Sequence, residues 1–66
     1  MFRVETLGKN RTWIQLDTQR KWEYAVDQCH MFSVELERYV RVVDERKDDK
    51  VVHEEVHHEL IRERRA

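Results

Sequence analysis

The sequence has few of the residues that break or cross-link a short chain. Among its 66 residues it has one cysteine, one glycine and no proline. A single cysteine excludes a disulfide within the chain, and a free thiol is typical of a reducing compartment. No apolar run approaches the roughly 20 residues of a membrane span, and the N-terminal residues lack the apolar stretch of a signal peptide. We therefore expect a cytoplasmic protein with no membrane partner.

An excess of charge of one sign is also missing. Thirteen Lys and Arg residues oppose fourteen Asp and Glu residues, which gives a formal net charge of −1. Nucleic-acid-binding domains commonly carry a basic excess on one face, so nucleic acid is an alternative partner that the composition does not favour. Residues 1–21, with five basic and two acidic groups, form the segment best suited to that alternative.

An enzyme is not expected either. So short a chain has little room for a substrate pocket of about 300 Å³ beside its own core. It also lacks a glycine-rich phosphate loop and the serine turn of hydrolases. We expect no cofactor. A core this small commonly needs support from a partner chain, which predicts a homo-oligomer.

What the sequence does have is clear periodicity. Residues 2–7 and 11–17 alternate apolar and polar side chains, as half-buried strands do. Gly8 and Asn10 between them predict a hairpin turn. Residues 38–46 are rich in valine and predict a further strand.

A helix is predicted over residues 19–37, with Asp17 or Thr18 as its N-cap. Cys29 falls on the apolar side of this helix as a small hydrophobe, and His30 is expected to face solvent. The apolar stripe consists of residues at helical spacing: Trp22, Ala25, Val26, Cys29, Phe32 and Leu36.

The segment after the third strand allows two interpretations. Residues 51–54 favour a fourth strand after a polar turn, because Val-Val has high β propensity. The rival interpretation is one helix from Asp49 onward. Either way the sequence predicts an α+β fold of β-β-α-β-β order, with a small antiparallel sheet of three or four strands and one amphipathic helix packed on one face. We expect a single domain over residues 1–54 and a charged helical tail over residues 55–66.

The run from His53 to His57 resembles zinc metalloproteases over five positions, His-Glu-x-x-His, in which two histidines one helical turn apart bind zinc. The charged Glu55 inside the run and the small size of the chain argue against a protease. A histidine pair at this spacing can also bind Zn, Ni or Cu with help from a second chain. His53 and His57 are therefore the metal candidates, but we expect no bound metal, because two ligands alone do not make a site.

One face of the predicted sheet collects a different set of residues. Trp13 and Tyr39 fall on the side opposite the aliphatic residues, together with Arg11, Arg41 and Val43. Trp, Tyr and Arg are the residues that anchor protein interfaces, and the same types on an open sheet can stack bases. These five residues are the predicted partner-binding site, unless the tail or a second subunit covers them.

Very short, charged, glycine-poor strand-strand-helix-strand chains look like accessory proteins encoded by phages and mobile elements. Many of those proteins inhibit or redirect a host enzyme or defence complex. The likeness lies in size and layout across the whole chain, and it implies a small non-enzymatic module that binds a host protein through the sheet face or a strand edge. The alternatives are a nucleic-acid-binding regulatory module, which would use the basic N-terminal hairpin and the aromatic face, and an oligomer bridged by metal at the tail histidines.

Overall fold

A computed structural model describes residues 1–56 of the chain. One helix and four strands follow one another in the predicted order: β1 Phe2–Leu7, β2 Trp13–Gln19, α1 Trp22–Leu36, β3 Val40–Asp44 and β4 Lys50–Glu55. The α+β class and the β-β-α-β-β order are confirmed. The helical tail was predicted over residues 55–66; its start is wrong, because Glu55 belongs to β4, and residues 57–66 lie outside the described residues.

The four strands form one antiparallel sheet in the order β2-β1-β3-β4. The fourth-strand interpretation of residues 51–54 is therefore confirmed, and the rival helix from Asp49 is wrong. Asp48 and Asp49 both adopt left-handed backbone angles, with φ of 54° and 57°. A helix cannot run through two such residues, so the chain turns there and β4 pairs back on β3.

The β1–β2 connection differs from its prediction. Asn10 and Arg11 take the left-handed angles, with φ of 61° and 58°, and Gly8 does not. A Cβ at Gly8 would lie 2.6 Å from Cδ1 of Ile14, the end of an exposed side chain that can move aside. Arg11 thus belongs to a short helical turn, Lys9–Arg11, and β2 begins two residues later than predicted, at Trp13.

The helix α1 begins at Trp22, three residues after the predicted start, and Lys21 precedes it without a side-chain cap. The predicted cap at Asp17 or Thr18 is wrong, because both residues lie in β2. Glu37, in the left-handed conformation, ends the helix. No helix within residues 1–56 combines the length and apolarity needed to cross a membrane.

The core lies between α1 and one face of the sheet. Three helix residues spaced four apart, Ala25, Cys29 and Ser33, are buried against it. Their small size lets the helix approach the sheet closely. On the sheet side the core contains Phe2, Val4, Val40 and Val42, with Leu16, Phe32 and Val52 packed around them. The predicted stripe is wrong at its two ends, because Trp22 and Leu36 are about two-fifths exposed.

Candidate binding surface on the open sheet face

A bulge in the sheet determines which residues of β2 face away from α1. The pairing of β1 with β2 shifts by one residue between Val4 and Glu5, so that Glu5 lies opposite Gln15 and Leu7 lies opposite Trp13. A one-residue shift in register moves every following side chain to the other face. The bulge therefore places Trp13 on the same open face as Glu5, whereas Val4 lies on the other face, which packs against α1.

Trp13, Tyr39 and Arg41 form a cluster on this open face. The rings of Trp13 and Tyr39 meet edge to face, with centroids 5.4 Å apart and an interplanar angle of 84°. The guanidinium carbon of Arg41 lies 3.8 Å from the ring centroid of Trp13, and such stacking fixes both side chains. The hydroxyl of Tyr39 donates a hydrogen bond to the Glu54 carboxylate.

Glu5 lies between two arginines on the same face. Its Oε1 accepts from Nε of Arg41 at 2.8 Å, and its Oε2 accepts from Nε of Arg3 at 3.0 Å. Arg3 also reaches Glu45 and Asp49, each at 3.4 Å. Desolvation lowers the pKa of Arg3, but the hydrogen bond and charge of Glu5, with the charges of Asp49 and Glu45, raise it overall. Glu5 is only 7% exposed, so its two ion pairs compensate for the loss of water around the carboxylate.

The structure separates the five residues predicted for partner binding. Trp13, Tyr39 and Arg41 come together as described. Val43 shares their face but is 1% exposed, so its side chain offers no surface. Arg11 is exposed within the Lys9–Arg11 turn. Sequence reasoning missed Glu5, although the period of two along β1 puts it on this face.

The outer side of α1 carries a second exposed surface that sequence reasoning also missed. Tyr24, Met31 and Val34 are 54%, 43% and 53% exposed. Their spacing of seven and three residues places them on one side of a helix. The helical spacing of these three residues is visible in the sequence.

The predicted metal ligands also have a different arrangement. His53 lies in a strand, so the helical spacing that the zinc protease motif requires does not exist at His53. His57 lies outside the described residues. The side chain of His53 instead joins Cys29 and Glu55, and one ligand atom of each lies within 4.8 Å of the other two. The Cys29 thiol donates to the Val40 carbonyl at 3.3 Å. Burial, followed by the charge of Glu55, raises the pKa of Cys29 to about 12.

A cleft of about 370 Å³ opens beside the first turn of α1. The small size of the chain therefore does not prevent a cleft larger than the roughly 300 Å³ considered from the sequence. Its lining mixes apolar and charged residues: Phe2, Trp22, Asp44, Arg46, Lys47 and Val52. Among them, Asp44 accepts a hydrogen bond from the backbone N–H of Arg46 at 3.0 Å and so serves the turn before β4.

Comparison with known proteins gives no relative from which a role could be transferred. No protein-family model, no curated protein and no solved structure shows a significant match to this chain.

Proposed function

We propose that this protein is a small non-enzymatic module that binds another protein through the open face of its sheet. The main support is the cluster of Trp13, Tyr39 and Arg41, because side chains of these three types dominate binding energy at protein interfaces. An inhibitor or modulator of a host enzyme or defence complex, encoded by a phage or mobile element, is the narrower form of this proposal. Its support is the size and strand order of the chain.

Preorganisation supports the cluster as a binding site. Arg41 is stacked on Trp13 and bonded to Glu5, and Tyr39 is braced by Trp13 and Glu54. Each side chain that must be immobilised on binding costs about 0.5–1.5 kcal/mol. Side chains already held by neighbours avoid part of that cost.

The charges favour a protein over a nucleic acid. The Nε of Arg41 and both the Nε and Nη1 of Arg3 already bind carboxylates. Binding of phosphates requires cations that displace counterions from the nucleic acid, and paired arginines do this poorly. The aromatic face is thus better suited to a protein surface of mixed polarity.

Self-association and a reducing location belong to the same proposal. Exposed apolar side chains in residues 1–56 include Ile14 on the sheet and Tyr24, Met31 and Val34 on the helix. Such residues favour a homo-oligomer, and a monomeric mass at micromolar concentration would contradict it. Cys29 is a buried free thiol, which supports a cytoplasmic location.

The test is affinity capture from extract of the native host with three forms of the full chain. The wild type is compared with Trp13→Ala, which dismantles the cluster, and with Tyr24→Ala, which truncates an equally aromatic residue on the other surface. Circular dichroism and thermal melting establish that each variant is folded. Captured proteins are identified by mass spectrometry, and nucleic acid is measured in the same eluates at low salt.

We expect that wild type and Tyr24→Ala capture the same partner protein, and that folded Trp13→Ala does not capture it. Loss with Tyr24→Ala alone would move the site to the helix. Nucleic acid bound at low salt and released as salt increases, with no protein dependent on Trp13, would favour the nucleic-acid alternative.

A further inference from the structure

A second bulge brings three metal-binding side chains together beneath α1. The pairing of β3 with β4 shifts between Val42 and Val43, so that Val42 lies opposite His53 and Val40 lies opposite Glu55. In a regular ladder, His53 would lie opposite Arg41 on the open face. The bulge turns His53 and Glu55 toward the helix, where Cys29 is buried. Bulges of this kind are common beside functional sites, where they redirect a side chain.

We propose that Cys29, His53 and Glu55 form a site for a divalent transition-metal ion of the zinc type. Their ligand atoms lie within 4.8 Å of one another, and the Nε2 of His53 is 3.6 Å from Oε2 of Glu55. Two ligands of one tetrahedral zinc are separated by roughly 3.4 Å. The histidine and the glutamate are thus close to their liganded spacing, and the sulfur needs a shift of about 1 Å.

The surroundings of His53 support this assignment independently. Its Nε2 is buried and makes no hydrogen bond to the described residues; Oε2 of Glu55, at 3.6 Å, is too far for one, and a buried polar atom without a hydrogen bond is costly. The ring is held edge-on by Trp22, with centroids 5.9 Å apart. Its orientation toward Cys29 and Glu55 is therefore fixed before any ion arrives.

His30 supplies the outer support that metal ligands need. Its Nδ1 donates to Oε1 of Glu55 at 3.1 Å, while the other oxygen of Glu55 faces His53. Hydrogen bonds of this kind orient a ligating carboxylate. His30 is therefore a positioning residue, and the three side chains would leave the fourth position of a tetrahedral ion open to water.

The donor set selects the ion. A thiolate with an imidazole and a carboxylate suits a borderline-soft ion such as Zn²⁺ and does not suit Mg²⁺ or Ca²⁺, which prefer oxygen. Binding deprotonates the thiol outright, so one proton leaves Cys29 for solvent as the sulfur–metal bond forms. No electron is transferred.

The experiment is a titration of the chelator-stripped full chain with Co²⁺, which reports thiolate ligation by its charge-transfer absorption. Wild type is compared with Cys29→Ala and Glu55→Gln, with His30→Gln, and with the control His57→Ala/His58→Ala. Cys29→Ala removes a buried side chain and could unfold the protein. Glu55 is partly exposed in an edge strand and glutamine has the same shape, so Glu55→Gln tests the site even if Cys29→Ala does not fold. Displacement of Co²⁺ by Zn²⁺ and by Mg²⁺ measures selectivity.

We expect one Co²⁺ per chain with the thiolate band, displaced by Zn²⁺ and not by Mg²⁺. Glu55→Gln should weaken binding at least tenfold, and His30→Gln by about ten- to a hundredfold, with the thiolate band retained in both. Cys29→Ala should abolish the band, and the double tail variant should keep it. Binding without the band in wild type, or binding lost only in the tail variant, would overturn the proposal.

Discussion

The guanidinium carbon of Arg41 lies 3.8 Å from the ring centroid of Trp13, while its Nε bonds to the buried carboxylate of Glu5 at 2.8 Å. Arg41 is thus held by an aromatic face and by a charge at once. A guanidinium can make both contacts because it is planar and its donors lie in that plane. This relationship links the stability of the open face to its proposed role in binding.

Arg41→Ala should lower the free energy of unfolding by about 1–3 kcal/mol, because it removes a hydrogen bond to a charged, buried group. Arg41→Lys should recover only part of this, since an ammonium group cannot stack and bond in the same plane. Urea denaturation measures both. Arg20 is exposed, so Arg20→Ala serves as the matched control, and its free energy of unfolding should lie within about 0.5 kcal/mol of wild type. Equal losses of stability in Arg20→Ala and Arg41→Ala would contradict the stabilising role of Arg41.

Glu5→Gln should also destabilise the protein, by roughly 1–3 kcal/mol, because Arg3 and Arg41 then face each other across a neutral amide. The remaining repulsion should make the variant more stable at high salt, whereas wild type should gain less. Unfolding midpoints at low and high sodium chloride provide the test. A variant with the stability and salt response of wild type would show that the two ion pairs contribute nothing.

Acid should weaken the link between β2 and α1. Hydrogen bonds, first from Gln28 and then from the Thr18 N–H, lower the pKa of Asp17 below its ordinary value of 3.8. A lowered pKa in the folded state gives stability that is complete above the ordinary value and is lost as the pH falls through the folded one. The urea midpoint of wild type should fall as the pH is lowered below 3.8. This fall should be smaller in Asp17→Asn and intermediate in Gln28→Ala. Midpoints of the variants that fall in parallel with wild type would contradict this prediction.

The Cys29 thiol should be unreactive in the folded, metal-free protein. Burial and the charge of Glu55 raise its pKa from 9.0 to about 12, so the thiolate fraction at neutral pH falls about a thousandfold. Iodoacetamide in the presence of EDTA should label urea-unfolded chain rapidly and folded chain very slowly. Comparable rates would place the thiol at the surface.

The same shift predicts a loss of stability at high pH. The unfolded chain releases the thiol proton near pH 9, while the folded chain keeps it until about pH 12. Stability from the buried neutral thiol is therefore complete below pH 9 and declines as the pH increases toward 12. The stability difference between wild type and Cys29→Ala should shrink across that interval, and a constant difference would contradict the shift.

The order of the elements could be read from the sequence because alternation and helical spacing are local signals. The apolar residues that β1 and β3 contribute to the core and the buried Cys29 were placed in this way, whereas β4 was predicted from the β propensity of Val51 and Val52. The start of β2 was misjudged because Arg11, in addition to Asn10, takes a left-handed angle and belongs to the turn. Trp22 was assigned to the core because its spacing fits; its ring does contact Phe2 and His53 of the sheet, but it remains 41% exposed.

The two candidate sites depend on bulges that no local pattern shows. An extra residue in β2, Leu16, sets the face of Trp13, and an extra residue in β4, Val52, sets the face of His53. A bulge is decided by how a strand fits its partner, and partner choice is a long-range property. Alternation along β2 and β3 placed Trp13, Tyr39 and Arg41 on one face of the sheet, but neither the contacts among them nor the approach of His53 to Cys29 was predicted.

The central claim is that the open face of the sheet contacts a partner protein, and site-specific photo-crosslinking tests it most directly. A photoreactive residue replaces Gln15, which is exposed beside Glu5, or Asp27, which is exposed on the outer side of α1. Neither position carries a buried contact, so both variants should fold. The account predicts a protein adduct from position 15 and none from position 27 in native host extract; an adduct from position 27 alone, or none from either, would contradict it.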